Sequence, residues 1–336
     1  MPSVLHDQYI QLPTGTTAQR PASPADGMIR HNTTLNISEV YYNGNWIQLE
    51  NTFSATGGTV SIVSGKKIHT FNSSGTFEVS GTPGVLSEVL VVAGGGGTGN
   101  RQYHNGGAGA GGLVYGTNVS CPPGVYTVTV GAGGGTGDGS TMNGPAGRGS
   151  NGSNSVFGSF ATALGGGYGG FYDVTPGNVG GSGGGGAANG QAVSRDAGSA
   201  QQTSPSGFTG YGNPGGSGGS GGNSGGGGGG GAGATGTSGT SSTSGPGGIG
   251  RQYSISGTAT YYAGGGGGSN WTGNEGSQPN IIGGTGGQGG GGNGASGTAQ
   301  NGTANTGGGA GGSERAQNQG PGCTGGSGVV IISYSL

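Results

Sequence analysis

Charge is what this chain has least of. Nine Lys and Arg and eleven Asp and Glu are spread over 336 residues, for a formal net charge of −2. No basic block exists that could neutralise a run of phosphates, so a nucleic-acid partner is not expected. Long apolar runs are missing as well. None approaches the ~18 residues of a helical membrane span, so membrane insertion is not expected. Only two cysteines occur, Cys121 and Cys323. The opening "MPSVLHDQYIQL" lacks a charged stretch followed by an apolar one. A secretory leader is therefore not expected, and both thiols are expected to stay free. His6, His31, His69 and His104 are scattered, and His69 in "KIHTF" reads as a satisfied strand residue. No HExxH, CxxC or Walker A pattern occurs, nor a GxSxG in a strand–turn–helix setting. No enzyme activity, metal or cofactor is expected.

Glycine fills the space left by the other residues, at 98 positions. Collagen is excluded because no sustained G-X-Y register exists. Ordinary disorder carries more charge. The stretch "GGSGGSGGN" (215–223) inverts the collagen pattern: two of every three residues are Gly, and the odd residue returns at 217, 220 and 223. A polyproline-II-type helix has three residues per turn, about 3.1 Å rise and no internal hydrogen bonds. Its N–H and C=O groups point outward and can bond to neighbouring helices only where nothing larger than hydrogen intervenes. A helix enclosed on all sides must be nearly pure Gly, as in "GGGGGGG" (225–231) and "GGGGG" (264–268). A helix at an edge has one open side, which takes every third side chain. Packed polyglycine II helices are the expectation, from about twelve Gly tracts between residues 94 and 328.

Residues 1–50 have ordinary composition. "GMIRHN" (27–32), "ISEVYYN" (37–43) and "NWIQL" (45–49) read as short strands, and Asn43-Gly44 as a type I′ hairpin turn. So small a segment buries little core and is expected to gain stability from other copies of itself. "GTTAQRP" (15–21), "GMIRHN" (27–32) and "EVYYNGNW" (39–46) resemble a module common in bacteriophage tail-fibre and other virion-fibre proteins. His31 stands where that family usually has an aromatic residue. The resemblance implies attachment to other virion (tail or baseplate) proteins and a homotrimer.

From Thr59 the pattern changes. "TVSIVS" (59–64), "KIHTFN" (67–72), "TFEVS" (76–80) and "VYTVTV" (125–130) alternate apolar and polar residues like half-buried antiparallel strands. "EVLVVA" (88–93) and "GVVIISYSL" (328–336) are continuously apolar, as buried strands are. The last strand needs partners for its backbone groups, and the apolar strands available lie before residue 131. The Gly-rich stretch should therefore leave a β base and return to it. The fold expected is all-β: an N-terminal hairpin or meander module (1–50), a linker (51–58) and a glycine-rich domain (59–336). In that domain a β base (59–130 and 328–336) carries polyglycine II tracts and loops (94–327).

"HTFNSSGTFEV" (69–79), "EVLVVAGGGG" (88–97), "GAGGLV" (109–114), "PPGVYTVTVGAGG" (122–134) and "GGSGVVIISY" (325–334) resemble the glycine-rich domain of phage adhesins and related viral proteins. That resemblance implies a polyglycine II sandwich carrying receptor-binding loops at its tip. Distal turns are expected at 100–105, 140–143, 171–179, 232–246, 269–282 and 313–323. The segments interrupting Gly hold Arg101, Tyr103, His104, Phe171, Tyr172, Asp173, Asn270, Trp271 and Glu275. Aromatic faces beside Asn, Asp and Arg suit a sugar ring or an exposed protein loop. These are the candidate contacts to a host surface receptor, glycan or outer-membrane protein. Alternatively the chain is a structural virion component, such as a capsid decoration or head fibre, without a receptor.

Overall fold

The computed structural model describes residues 4–5, 10–49, 52–99, 104–137, 147–171, 175–188, 195–221, 224–270, 283–295, 299–313 and 322–336. The chain divides into two units, Met1–Ser54 with Ser80–Pro83, and Ala55–Val79 with Gly84–Leu336. The architecture is all-β, with several antiparallel sheets. Part of the stretch 51–58, expected as a linker, takes regular structure. Ser54–Thr56 is a strand on the edge of a five-stranded sheet, because alternating small residues can pair as well as branched ones when a sheet edge is offered.

In the first unit, strand Thr14–Gly15 pairs parallel with Ile29–Asn32, which continues antiparallel into Ile37–Tyr42 and Asn45–Gln48. Asn43 and Gly44 have φ of 47° and 80°, the pair of left-handed residues that a type I′ turn requires. The two faces of this sheet are reversed relative to the usual rule. Arg30, Asn32 and Glu39 are buried on one face. Arg20 reaches over that face, donating from Nε and Nη2 to the Glu39 carboxylate at 3.2 and 2.6 Å. Both guanidiniums lie over Trp46, at 5.8 and 5.9 Å. The hydrogen bond from Arg20 holds the Glu39 carboxyl below its usual range against the opposing effect of burial. On the other face Ile29, Val40 and Ile47 form a direct cross-strand row. Ile29 and Ile47 are 43% and 46% exposed.

The second unit begins from two sheets. Strand Val329–Ser335 lies between Gly84–Val92 and Lys66–Phe71, antiparallel to both, as its apolar sequence required. Thr59–Val63, Leu113–Cys121 and Thr209–Tyr211 complete six strands. The five-stranded sheet runs Ala161–Ala163, Ser155–Phe157, Gly124–Thr129, Gly75–Ser80, Ser54–Thr56. Phe77 and Phe157 are fully buried on its inner face. The opposite face of the six-stranded sheet is covered by the hairpin of Arg251–Tyr253 and Thr260–Tyr262, whose Ile255 joins the core of Ile68, Leu90 and Ile331.

Gly tracts leave these sheets and bond sideways. In 225–231 successive N–H groups point to different neighbours, and each neighbour recurs every third residue. Gly225, Gly228 and Gly231 donate to Thr240, Thr237 and Ala234. Gly226 and Gly229 donate to Ser269 and Gly266, and Gly227 and Gly230 to Gly186 and Gly183. Carbonyls of the same run accept from Gly216 and Gly219, from Gly245 and Gly248, and from Gly107 and Ala110. The run thus donates to three tracts and accepts from three others. Three residues per turn with no internal bond is the polyglycine II helix, here inside a hexagonal bundle. Runs 94–98, 106–112 and 264–269 are enclosed in the same way.

Within the 215–223 stretch, residues 215–220 behave as an edge helix. A Cβ on Gly215 or Gly218 would strike the backbone of 184–187, and one on Gly216 or Gly219 that of 237–240. Pro214 and Ser220 are exposed and Ser217 half-buried; residues 222–223 lie outside the described chain. Where the bundle ends sideways, side-chain oxygens take over from missing neighbours. Gly165, Tyr168, Gly286 and Thr324 donate to Asn154, Asn151, Asn293 and Asn301.

The bundle holds more runs than the sequence suggests. Edge runs such as 175–180, 195–202, 234–240 and 299–303 need Gly only on their shared side, so they do not read as Gly tracts. The 232–246 stretch, expected as a distal turn, is corrected accordingly. Ala232 sits at the sheet end, bonded to the Ala263 carbonyl, and the chain turns at the far end only around 240–243.

Bundle packing predicts a sharp contrast between two substitutions. A Cβ on Gly229 would lie 2.0 Å from the Ala108 carbonyl oxygen, whereas on Gly135 it would meet only Ser150 Oγ at 3.7 Å. Gly229→Ala should destabilise by more than about 3 kcal/mol, beyond typical overpacking. Gly135→Ala should be neutral or stabilise by about 0.4–1 kcal/mol through the unfolded chain. Urea unfolding of both variants measures the difference.

Candidate functional site at the far end of the bundle

Because several runs start or stop at a strand, the bundle has a sheet end and a far end. Ala93, Gly112, Gly131 and Gly328 adjoin strands. At the other extreme, Gly99, His104, Phe171, Asn270 and Ser313 border segments outside the described residues. Backbone groups there lose the next residue of the lattice, and buried polar groups need partners. Side chains supply them. Asn105 Nδ2 donates to the Ser313 carbonyl at 3.1 Å and to Ser313 Oγ at 3.2 Å. Ser269 Oγ lies 3.0 Å from the Ser313 carbonyl and 3.2 Å from that of Asn105. Ser313 Oγ donates to the Gly99 carbonyl. Thr98 Oγ1 donates to the Gly311 carbonyl at 2.9 Å and accepts from Cys323 N at 3.2 Å. Thr98, Asn105, Ser269, Asn270 and Ser313 are all buried. Five runs are thereby tied together in one uncharged floor.

Of the candidate contact residues, three fall in the described chain, and all three belong to this floor. His104 is buried, with φ of 60°, and its carbonyl accepts from Ala188 N at 3.0 Å. Phe171 is buried, and its ring covers Gly99, where a Cβ would lie 2.4 Å from the ring edge. Asn270 is fully buried. Arg101, Tyr103, Tyr172, Asp173, Trp271 and Glu275 lie outside the described residues. The floor residues Thr98, Asn105, Ser269 and Ser313 escape a search for aromatic and charged groups. Their signal is a hydroxyl or amide side chain placed where a Gly run begins or ends.

Cys323 sits beside this floor against Ala108 and Ala310, and burial pushes its thiol up to about 11. Burial raises the Cys121 thiol as well. Both cysteines are free and buried, and a protonated thiol is a poor nucleophile and metal ligand.

A second concentration of aromatics lies at the sheet end and is closed on itself. Arg251 stacks over Tyr211 at 3.9 Å, and the rings of Tyr115 and Tyr253 are 4.4 Å apart. Tyr115 donates to Glu88 at 2.7 Å, and Glu88 pairs with Lys66 at 2.8 Å. Burial is the largest cause raising the Tyr253 phenol, to about 12. These contacts staple the 251–262 hairpin to the six-stranded sheet, so "RQY" at 251–253 is no part of the far end.

The model of the glycine-rich domain family matches residues 70–335, from the strand Lys66–Phe71 through the bundle to the strand Val329–Ser335. No curated protein matches the chain.

The floor network predicts that Ser313→Ala and Asn105→Ala each cost about 1–3 kcal/mol, since each leaves a buried polar partner unsatisfied. Chemical unfolding measures the loss. Hydrogen exchange should localise it to 98–99, 269–270 and 311–313, with the sheets unchanged.

Proposed function

The chain belongs to the glycine-rich domain family, and we propose that it is a bacteriophage fibre protein, an adhesin that binds a glycan or outer-membrane protein on the host surface. One observation carries this reading. The bundle is anchored by sheets at one end, while at the other several sequence-distant runs converge on a rigid, uncharged floor. Such a floor holds the segments that leave it at fixed separations, which is the preorganisation a binding site needs. Segments 100–103, 172–174 and 271–282 leave from it and carry Arg101, Tyr103, Tyr172, Asp173, Trp271 and Glu275. These are the proposed receptor contacts; the buried His104, Phe171 and Asn270 adjoin them in the chain. In this reading the protein needs no cofactor and catalyses no reaction.

The first unit is proposed to join the protein to other virion proteins and to form a homotrimer. The uncovered row Ile29–Val40–Ile47 supports this, since the same unit buries its polar side instead. Several copies side by side would turn one weak site into an avid one. The burial of His104, Phe171 and Asn270 favours a second reading, a structural virion component without a receptor.

Adsorption of the purified, labelled protein to host cells separates the two. Trp271→Ala and Tyr103→Ala should each reduce adsorption at least about tenfold, the loss of roughly one stacked contact. Val125→Ala, at a 67% exposed position on the five-stranded sheet, should leave it unchanged. Adsorption that is absent in the wild type, or indifferent to every far-end substitution, supports the structural reading. Ile47→Glu should convert the trimer to monomers in analytical ultracentrifugation while leaving far-ultraviolet circular dichroism unchanged.

A further inference from the structure

We propose that His69 is an acid-sensitive latch on the segment through which the chain enters the glycine-rich unit. His69 is fully buried between the two sheets, edge-on to Phe77 at 5.1 Å and stacked on Tyr334 at 5.7 Å. Its Nδ1 lies 2.8 Å from the Gly57 carbonyl oxygen. A carbonyl only accepts, so Nδ1 carries the proton and the neutral ring keeps a bare lone pair on Nε2. That Nε2 is buried and has no hydrogen-bond partner among the described residues. An unmet lone pair is tolerable there; an added N–H with positive charge has nowhere to go.

The latched segment is held upstream by the pairing of Ser54–Thr56 with Gly75–Ser80, and His69 takes over where that strand ends. Tyr334 Oη accepts from Ala55 N at 3.2 Å, and Lys67 Nζ donates to the Ala55 carbonyl at 3.2 Å. Gly57 and Gly58 sit at φ of 111° and 62°, and a Cβ on Gly57 would lie 2.0 Å from the Thr76 carbonyl oxygen. The path is therefore tightly shaped, and the imidazole holds its middle. The titratable groups around the ring are Lys67 on its own strand and Tyr334 on the C-terminal strand. The entering segment presents Ala55 and Gly57, the strand Gly75–Ser80 presents Phe77, and neither offers a carboxylate. Protonation would place a second cation near Lys67.

Burial first, and then Lys67, holds the imidazole below its ordinary 6.5, against the raising effect of the Gly57 bond. With the latched value depressed, the opened state binds the extra proton. The latch is then at full strength above about pH 6.5 and weakens as pH falls through the window between 6.5 and the latched value. Acidification would loosen the entering segment before it unfolds the sheets.

The test uses the full chain. Histidine ¹⁵N NMR between about pH 8 and pH 4.5 should find His69 as the Nδ1–H tautomer, titrating below the ordinary histidine value. Hydrogen exchange, corrected for the intrinsic pH effect, should show protection of 55–58 falling about tenfold or more on acidification, with 84–92 unchanged. In His69→Asn, whose amide can donate where Nδ1 does but does not titrate, this response should vanish. An Nε2–H tautomer, titration at or above 6.5, or protection of 55–58 that is independent of pH would each overturn the proposal. So would a pH response retained in the Asn variant. If that variant does not fold, the wild-type titration and exchange decide alone.

Discussion

The whole second unit depends on one distance. A carbonyl oxygen lies about 2 Å from where a Cβ would stand on most bundle glycines: 2.0 Å for Gly106, Gly229 and Gly247 alike. Hydrogen bonds between neighbouring backbones require that approach, and any side chain on a shared face forbids it. Because donors and acceptors point radially, the bundle accepts both chain directions. Run 106–112 lies antiparallel to 164–170 and parallel to 227–230. A β-sheet buries side chains; this bundle buries peptide groups. Its cohesion comes from many hydrogen bonds of modest net value, each offsetting part of the large entropy lost by ordered Gly.

That constraint explains what could be read from the amino acids. Runs enclosed on all sides announce themselves, because little but Gly fits, with Ala108 and Ala110 the largest side chains run 106–112 admits: 225–231 and 264–268 are legible at a glance. The spacing of 217 and 220 correctly marks an edge. Runs with open sides are hidden, since 195–202 and 299–303 read like ordinary polar loops. Strands with clean alternation or continuous apolar character were legible too. Leu113–Cys121 was not, because Gly116 and Asn118 interrupt its pattern; Gly116 packs under the Phe208 ring, where a Cβ would lie 2.6 Å away. At the far end, attention to aromatics led past Thr98, Asn105, Ser269 and Ser313. Their contribution is a hydrogen bond at a lattice boundary, which composition alone does not display.

The two units solve opposite problems. The second hides its backbone and has almost no apolar core outside the sheets. The first hides a carboxylate and the Arg30 guanidinium beneath a half-buried Arg20, and turns its branched side chains outward. Buried ion pairs contribute little net stability but strongly penalise the wrong arrangement. Glu39, with Arg20, Arg30 and Asn32 converging on it, fixes how the 16–20 segment folds over the sheet. Its apolar row is left free to meet something else.

The position of Val329–Ser335 between two early strands has a consequence for synthesis. Ala55 and Tyr334 are hydrogen-bonded although 279 positions separate them. Until the ribosome has made that strand, Gly84–Val92 and Lys66–Phe71 each lack the partner that lies between them. Closure of the sheet must therefore wait for that strand, and earlier intermediates are vulnerable to mispairing. A chaperone able to shield sticky β edges would raise the yield, and a premature stop codon shortly before residue 329 would discard the entire domain rather than trim it.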